Sequence, residues 1–185
     1  MSASSASSSV EASELFGPYA QLVLEVTHAY PEASIDTFRT MLGLFSTYDA
    51  AIALLSRRMA RESLTVPGFN VLMLLAHGDL RKDGCPMHRL GDLLVVSRAN
   101  VTGLVDSLER KGLVERKENA QDRRSKLVWI TPAGDKKLTG ILPDHFLTLR
   151  RIIEVLEPKD RKRLWRLLGE LRASFQEAIA RETDA

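Results

Sequence analysis

Apolar residues recur at helical spacing over most of the chain. In residues 11–30 they fall three and four positions apart, which predicts a first helix. Ser34 is a good N-cap, and the apolar stripe that follows it predicts a long second helix. A third apolar segment begins at Thr65, and the polar residues 77–84 that follow it are predicted to form a loop.

In the middle of the chain the predicted elements become short. A helix of about two turns is predicted over residues 87–94, and Ser97 is a good N-cap for a second helix through about Lys111. Residues 113–117 and 126–130 predict two strands, which the polar residues between them join into a hairpin. The side chains predicted to line the buried face of the helix after Ser97 are Val101, Leu104, Val105 and Leu108.

The last third of the chain is predicted to be helical. Thr131 followed by Pro132 is typical of a helix start, because threonine caps the first turn and proline needs no partner there. This helix is predicted to run to about Leu156, and Pro143 should kink it or divide it in two. A final helix begins at Pro158, and its apolar face carries Leu164, Leu167, Leu168, Leu171, Phe175 and Ile179.

Short helix, turn, helix, strand, polar loop and strand is the element order of a winged helix-turn-helix, whose second helix enters the major groove of DNA. The predicted fold class is therefore mainly α with a small β-hairpin wing (α+β), a winged helix-turn-helix plus a helical dimerisation region. A wing domain of about 65 residues cannot cover three long amphipathic helices, so a second copy of the chain is expected to cover them. The predicted organisation is a disordered Ser/Ala tail over residues 1–10, dimerisation helices over 11–62, the DNA-binding domain over 63–131 and C-terminal dimerisation helices over 132–185.

The outward face of the helix after Ser97 and the tip of the hairpin carry side chains that suit DNA. Arginine and asparagine can each bind a base edge through two hydrogen bonds, and hydroxyl groups can bind phosphates. Gly103 would let the DNA backbone approach closely, and at the hairpin tip an arginine oriented by Asp122 could enter the minor groove. The predicted DNA-binding residues are Ser97, Arg98, Asn100, Thr102, Asp106, Arg110, Asp122, Arg123 and Arg124.

The positions of the charged residues support this interpretation more than the net charge of the chain does. The chain of 185 residues has a formal net charge of +2, which is compatible with DNA binding and too small to predict it. Residues 86–131, however, hold nine basic and six acidic residues, which gives the proposed DNA-binding segment a net charge of +3. The alternative for Arg123 and Arg124 is a solvated charge run with no ligand. The apolar runs are too short to cross a bilayer, so no membrane association is predicted.

The titratable residues predict no catalytic or metal site. The sequence has no nucleophile–base pair, phosphate-binding loop or metal-ligand spacing, so neither an enzyme nor a cofactor is predicted. Asp144 and His145 follow Pro143 and are expected to lie in a solvated turn. Cys85, the one cysteine, fits a reducing cytoplasm. It leaves two alternatives open, a structural residue or a redox sensor that would need an exposed thiolate near a cation.

Two stretches of sequence resemble the MarR family of bacterial regulators. One is LGDLLVVSRANVTGLVDSLERKGLVER over residues 90–116, and the other is the Asp-Arg-Arg of residues 122–124 followed by VWITPAG over 128–134. The resemblance covers roughly residues 34–180. It implies an obligate dimer, palindromic operators and, usually, repression that a small ligand or an oxidant relieves.

The resemblance also implies roles for particular residues. It places the family's wing arginine on Arg124 and its groove-facing helix positions on Ser97 to Thr102 and on Asp106. The chain departs from two branches of the family, because it lacks the N-terminal reactive cysteine of the peroxide sensors and residues 11–30 lack the tryptophan of the urate-responsive regulators. The sequence therefore does not identify the effector.

The function predicted from the sequence is sequence-specific DNA binding by a homodimeric transcriptional regulator in the cytoplasm. It is expected to be a repressor that a small-molecule effector releases from a palindromic operator. The effector pocket is predicted between the dimerisation helices and the wing domain, with Phe38, Tyr48 and Phe69 as ligand-binding residues. The alternative is a helical protein-interaction module that retains the winged-helix fold without operator binding.

Overall fold

The structure, a computed structural model, describes residues 17–94, 98–118 and 126–183. For Pro18, Ala20 and residues 98–100 it describes the backbone only. Three predicted features lie outside the described residues. They are the Ser/Ala tail over residues 1–10, the N-cap Ser97, and the wing tip with Asp122, Arg123 and Arg124.

The chain is mainly helical with a small antiparallel sheet, so the predicted fold class is confirmed. A 3-10 turn at Gly17–Tyr19 precedes the first helix. The helices are α1 (Ala20–Ala29), α2 (Ile35–Arg61), α3 (Val66–Leu75), α4 (Gly78–Asp83), α5 (Met87–Leu93), α6 (Arg98–Arg110), α7 (Pro132–Ile153) and α8 (Pro158–Thr183), and the strands are β1 (Cys85–Pro86), β2 (Val114–Glu118) and β3 (Lys126–Ile130). No helix in the described part of the chain is long and apolar enough to span a membrane.

The chain divides after Asn70 into two compact units. In the first unit the predicted cap at Ser34 is confirmed, because its hydroxyl oxygen accepts a hydrogen bond from the backbone N–H of Thr37 at 3.1 Å. Val23 of α1 is buried, and apolar side chains of both α1 and α2 pack against it. Burial of this kind stabilises a short helix that has little stability alone. The side chains packed on Val23 are Leu24, Ile35, Phe38 and Leu42.

The second unit contains the predicted hairpin and the two helices before it. β2 and β3 pair in an antiparallel register with Arg116 opposite Val128, and β1 lies on the other side of β3. α5 packs across α6 and also contacts β1 and β3, while α6 contacts β2. The predicted stripe of α6 is confirmed, with buried or half-buried side chains at Val101, Leu104, Val105 and Leu108.

The predicted loop after α3 is wrong, because residues 78–83 form α4. Leu80 is the buried residue of this six-residue helix, which explains why no apolar period is visible in the sequence. The charges suit the helix dipole, with Asp79 in the first turn and Arg81 in the last. Arg81 also donates two hydrogen bonds, of 2.9 and 3.1 Å, to the carboxylate of Asp135 on α7. A paired contact of this kind fixes α4 within the unit.

Two outcomes are predicted for Pro143, a kink in the helix or its division in two. The division does not occur, because α7 is one helix over Pro132–Ile153. The helix continues through this residue, and Leu138, Ile141 and His145 are buried on either side of it. A proline removes one N–H from the helix, and burial of apolar side chains offsets the lost hydrogen bond. The prediction of a solvated turn at Asp144 and His145 is also wrong, because both residues are helical and His145 is buried.

β1 is a strand that the hydrophobic pattern does not predict. It has two residues, with Cys85 opposite Val128 and Pro86 opposite Leu127. Proline is tolerated here because β1 is an outer strand of the sheet, where one side needs no N–H. In this position the Cys85 side chain is completely buried.

The predicted start of α7 is confirmed, and hydrogen bonds join it to the segment before β2. The hydroxyl oxygen of Thr131 accepts from the backbone N–H of Gly134 at 3.0 Å, and the same hydroxyl donates to the carbonyl of Gly112 at 2.6 Å. The backbone N–H of Thr131 donates to the carbonyl of Leu113 at 3.1 Å. Gly134 lies so close to that carbonyl that a side chain has no room. The first turn of α7 is thereby fixed to the chain between α6 and β2.

Candidate nucleic-acid interface

α6 presents an exposed face on the side opposite to its buried residues. Thr102, Gly103 and Arg110 are exposed, whereas Val101 and Val105 are buried in the unit that α5 and the sheet complete. The space around Gly103 is open, because a Cβ atom added there would have no neighbour within 4 Å. A helix that is held on one side and open on the other can enter the major groove, which is about 12 Å wide.

The described residues include part of the predicted DNA-binding set. Thr102 and Arg110 lie on the exposed side of α6, one in each half of the helix. Arg98 and Asn100 belong to the first turn of α6, where the backbone alone is described. Ser97 precedes that turn and lies outside the described residues, as does the tip of the wing. The roles of these residues stay predictions.

Asp106 is engaged within the protein. Its carboxylate forms an ion pair with the guanidinium of Arg116 on β2, with 2.6 Å between Oδ1 and Nη2. The same guanidinium binds the carboxylate of Glu109, with 2.6 Å between Nη1 and Oε2. The Arg116 side chain is 17% exposed, whereas the side chains of Asp106 and Glu109 are 43% and 39% exposed, so the contact is buried on the arginine side and reached by water on the carboxylate side. The sequence does not predict this contact, because Arg116 is counted only among the nine basic residues of 86–131.

A sequence signal for the contact exists. Asp106 and Glu109 are three residues apart and therefore share one face of α6, where two negative charges repel each other. A basic residue that reaches both carboxylates removes the repulsion. Because strand side chains alternate, Arg116 and Lys117 lie on opposite faces of β2, and Arg116 is the one that reaches α6.

The other face of the hairpin carries Lys117. Its ammonium lies 2.5 Å from the Glu115 carboxylate and 5.4 Å from the centre of the Trp129 ring, which is close enough for a cation–π contact. Trp129 in turn lies against Gly84, whose φ of +75° suits glycine and whose missing Cβ leaves room for the ring. These contacts order the base of the hairpin on the side away from α6.

Cys85 is a buried residue of the sheet and not a surface thiol. Burial raises the pKa of its thiol, and the positive charge of Arg89 lowers that pKa by a smaller amount. The neutral thiol is therefore the form present at neutral pH. These observations support the structural alternative for Cys85 over the redox sensor. Among the residues with described side chains, no group of three His, Cys, Asp or Glu is placed to hold a metal ion.

The three predicted ligand-binding residues lie in different surroundings in the first unit. Phe38 packs against Val23 of α1, Tyr48 is exposed on α2, and Phe69 of α3 is buried. Phe38 and Tyr48 are ten residues apart on one helix, a distance of about 15 Å along its axis. The structure therefore does not bring these two side chains together, and the ligand-binding role of all three stays a prediction.

Comparisons of sequence identify the family of the chain. Residues 63–125 match the model of the MarR family. Over 151 residues the chain is 30% identical to the HTH-type transcriptional repressor YetL of Bacillus subtilis, a match that covers 78% of this chain and 86% of YetL.

Solved structures have the same fold. The chain resembles MepR of S. aureus, solved in complex with DNA, with a TM-score of 0.65 and 20% identity over 71% of this chain and 95% of that one. It also resembles NadR, solved in complex with 4-hydroxyphenylacetate, with a TM-score of 0.56 and 25% identity over 70% of this chain and 89% of that one. Since YetL is matched at this identity over most of its length and the family model matches the region of α5, α6 and β2, the chain belongs to the MarR family of transcriptional regulators.

Proposed function

We propose that the protein is a sequence-specific DNA-binding repressor that acts as a homodimer in the cytoplasm and leaves its operator when a small molecule binds. The observation that carries the proposal is the open face of α6, where Thr102 and Arg110 are exposed while the opposite face is buried. YetL is named a transcriptional repressor, which supports repression over activation and a regulatory role over an enzymatic one. MepR, which shares the fold, was solved on DNA.

In this proposal the first half of α6 reads the major groove. Arg98 would bind guanine and Asn100 would bind adenine, each through two hydrogen bonds, while Ser97 and Thr102 would bind phosphates or base edges. Arg110, at the exposed end of α6, would bind the DNA backbone. The tip of the wing would reach the adjacent minor groove with Arg124 as the inserted side chain. The wing-tip residues of the proposal are Asp122, Arg123 and Arg124.

The exposed apolar surface of α7 and α8 supports a dimer. α8 has no buried residue along its described length, and Trp165 near its start is 81% exposed. Soluble monomers rarely leave so much apolar surface in water, and a second copy of the chain would cover it. In the proposal, residues 63–131 bind DNA, and residues 11–62 and 132–185 form the dimer. The exposed apolar side chains of the two helices and of Val155 in the connection between them are Phe146, Leu147, Ile152, Ile153, Val155, Leu164, Trp165, Leu167, Leu168, Phe175 and Ile179.

A small-molecule effector is part of the proposal. NadR, at 25% identity, was solved with 4-hydroxyphenylacetate, so a regulator of this fold accommodates a small aromatic acid. We propose that Phe38, Tyr48 and Phe69 contribute to the effector site. Titration of the operator complex with 4-hydroxyphenylacetate and related aromatic acids, for the wild type and Phe69→Ala, tests this set. If the two proteins respond identically to every compound that releases the wild type, Phe69 is not part of the site.

Selection of bound fragments from the native genome, followed by titration of the protein with a selected duplex and a shuffled duplex of equal length, tests DNA binding. We expect a palindrome with half-sites about one helical turn apart, nanomolar affinity and a Kd that rises steeply with salt. The alternative, a helical protein-interaction module, predicts equal and weak binding of selected, shuffled and random duplexes. That result would overturn the proposal. A monomer in sedimentation at the working concentration would overturn the dimer.

A further inference from the structure

We propose that Arg116 is a positioning residue for operator recognition, which fixes the reading helix α6 relative to the wing strand β2. Three residues form this contact, Asp106, Glu109 and Arg116, and we call them the Arg116 clamp. Asp106 belongs to the clamp in this inference and is not a base-reading residue. The inference rests on the proposed function, because it concerns how the same interface gains its specificity.

The Arg116 clamp joins one turn of α6 to one residue of β2 through three hydrogen bonds. Nη2 of Arg116 donates to Oδ1 of Asp106 at 2.6 Å, and Nη1 donates to Oε2 of Glu109 at 2.6 Å. The backbone N–H of Arg116 donates to Oε1 of Glu109 at 3.1 Å. A planar guanidinium donates in fixed directions, so two carboxylates bonded to it are held in a fixed relation. α6 therefore cannot rotate about its axis or tilt away from β2 without breaking charged hydrogen bonds.

The position of β2 in the sheet makes the backbone contact valuable. The strand order is β1-β3-β2, so β2 is an outer strand. The outward N–H groups of an outer strand have no strand to bond to. The carboxylate of Glu109 accepts a hydrogen bond from the backbone N–H of Arg116. The carboxylate that binds the guanidinium therefore also gives a partner to one N–H group of the outer strand next to α6.

Charge and exposure separate Arg116 from an arginine that binds DNA. The clamp contains two negative charges and one positive charge, a net of −1, which repels a phosphate. The side chain of Arg116 is 17% exposed, whereas that of Lys117, the next residue, is 56% exposed. An Asp106 carboxylate bonded to the guanidinium also has less freedom to accept a hydrogen bond from a base. Arg116 therefore acts on the geometry of the protein and not on the DNA backbone.

Specific and nonspecific DNA binding should depend on the clamp to different degrees. Hydrogen bonds to base edges need side chains placed to within about 0.5 Å, and a helix that is free to tilt loses them. Contacts to phosphates depend on positive charge near the backbone and tolerate small shifts. Opening the clamp should therefore weaken operator binding far more than binding to a shuffled duplex.

The test measures the Kd of the full-length protein for a genome-selected operator and for a shuffled duplex by fluorescence anisotropy at several salt concentrations. It compares the wild type with Arg116→Met and Lys117→Met, which remove the same charge from neighbouring residues on opposite faces of β2. We expect Arg116→Met to lower the preference for the operator by roughly tenfold or more, and Lys117→Met to lower it by less than about threefold.

Two further variants keep the test decisive if Arg116→Met folds poorly. Arg116→Lys keeps the charge but loses the planar fork, so it should lose much of the operator preference while remaining folded by circular dichroism. In an Asp106→Ala, Glu109→Ala protein the clamp has lost both of its acceptor side chains, and Arg116→Lys should then lower the preference no further. This lack of additivity is the result that a separate contact of Arg116 with DNA would not produce.

Three outcomes would overturn the inference. Equal operator preference in the Arg116 and Lys117 variants would mean that the clamp does not set specificity. A change at one base pair in Asp106→Asn, with the Arg116 variants unchanged, would return Asp106 to base reading. If the wild type itself shows no preference for any selected duplex, the proposed function fails and the clamp loses its role, a result that is distinct because it needs no variant.

Discussion

Gly134 lies where the first turn of α7 meets the segment before β2, and replacing it by alanine tests how the two are joined. A Cβ atom there would lie well inside 3.0 Å of the Leu113 carbonyl oxygen and 2.9 Å from Cγ1 of Ile130. The carbonyl is part of the backbone and accepts the N–H of Thr131 at 3.1 Å, so it cannot move aside as a flexible side chain would. Gly134→Ala must therefore push α7 away from the sheet.

The expected magnitude follows from three contributions. Adding a methyl group to a filled site costs about 1–3 kcal/mol. A displaced α7 also weakens the two hydrogen bonds that Thr131 donates to Gly112 and Leu113, each worth about 1 kcal/mol. Alanine favours a helix over glycine by up to about 1 kcal/mol, which acts in the opposite direction. We expect the free energy of unfolding to fall by about 2–4 kcal/mol.

Gly140→Ala provides the matched control in the same helix. Gly140 is exposed and has no neighbour within 4 Å of an added Cβ, so alanine should raise the free energy of unfolding by about 0.5–1 kcal/mol. Urea unfolding followed by circular dichroism measures both variants, at one protein concentration because the stability of a dimer depends on it. If Gly134→Ala stays within about 0.5 kcal/mol of the wild type, the close contact and the reasoning from it are wrong.

Three other residues give sharp tests. Gly103→Ala should stabilise α6 by about 0.5–1 kcal/mol yet weaken operator binding, because its open face must admit the DNA backbone; equal binding by fluorescence anisotropy would contradict this. Arg124→Ala should cost about 1–3 kcal/mol of operator affinity, and an unchanged gel shift would count against minor-groove insertion. The Cys85 thiol should resist iodoacetamide in the native protein and react after urea unfolding, whereas rapid native labelling would contradict its burial. Burial raises the pKa of Cys85, so the contribution of the neutral thiol to stability is complete below the pKa of the unfolded thiol and is lost as the pH rises through the folded pKa. The free energy of unfolding in urea should therefore fall less steeply at alkaline pH in Cys85→Ala than in the wild type.

The sequence predicts those parts of the fold whose signals are local. The caps at Ser34 and Thr131 and the buried stripe of α6 are predicted correctly, because each depends on residues within one or two turns. α4 and β1 are not predicted, because one has a single buried side chain and the other has two residues. What stabilises them lies far along the chain, in the pairing with Asp135 for α4 and with Val128 for β1.

The candidate site is predictable in outline but not in its internal contacts. Helical spacing shows which positions of α6 face outward, and the structure agrees for Thr102 and Arg110. Spacing does not show whether an outward charge meets solvent or another side chain. Asp106 enters the predicted DNA-binding set for this reason, although Arg116, ten residues later, already binds its carboxylate. The pairing depends on how the hairpin folds back onto the helix, which no local pattern records.

Residues 112–116 join α6, β2 and the start of α7. The two carbonyls before β2 bind Thr131, the second of them leaves no room beside Gly134, and Arg116 at the end of the segment holds α6. Close-packed contacts of this kind change in steps and do not stretch, so the segment cannot absorb a shift of α7. If α6 lies in the major groove as proposed, an effector that displaces the start of α7 should therefore move β2 and α6 with it and take the exposed face of α6 out of the groove. Gly134→Ala displaces α7 without a ligand, and we expect it to lower operator affinity in protein that is still folded, while Gly140→Ala leaves that affinity unchanged.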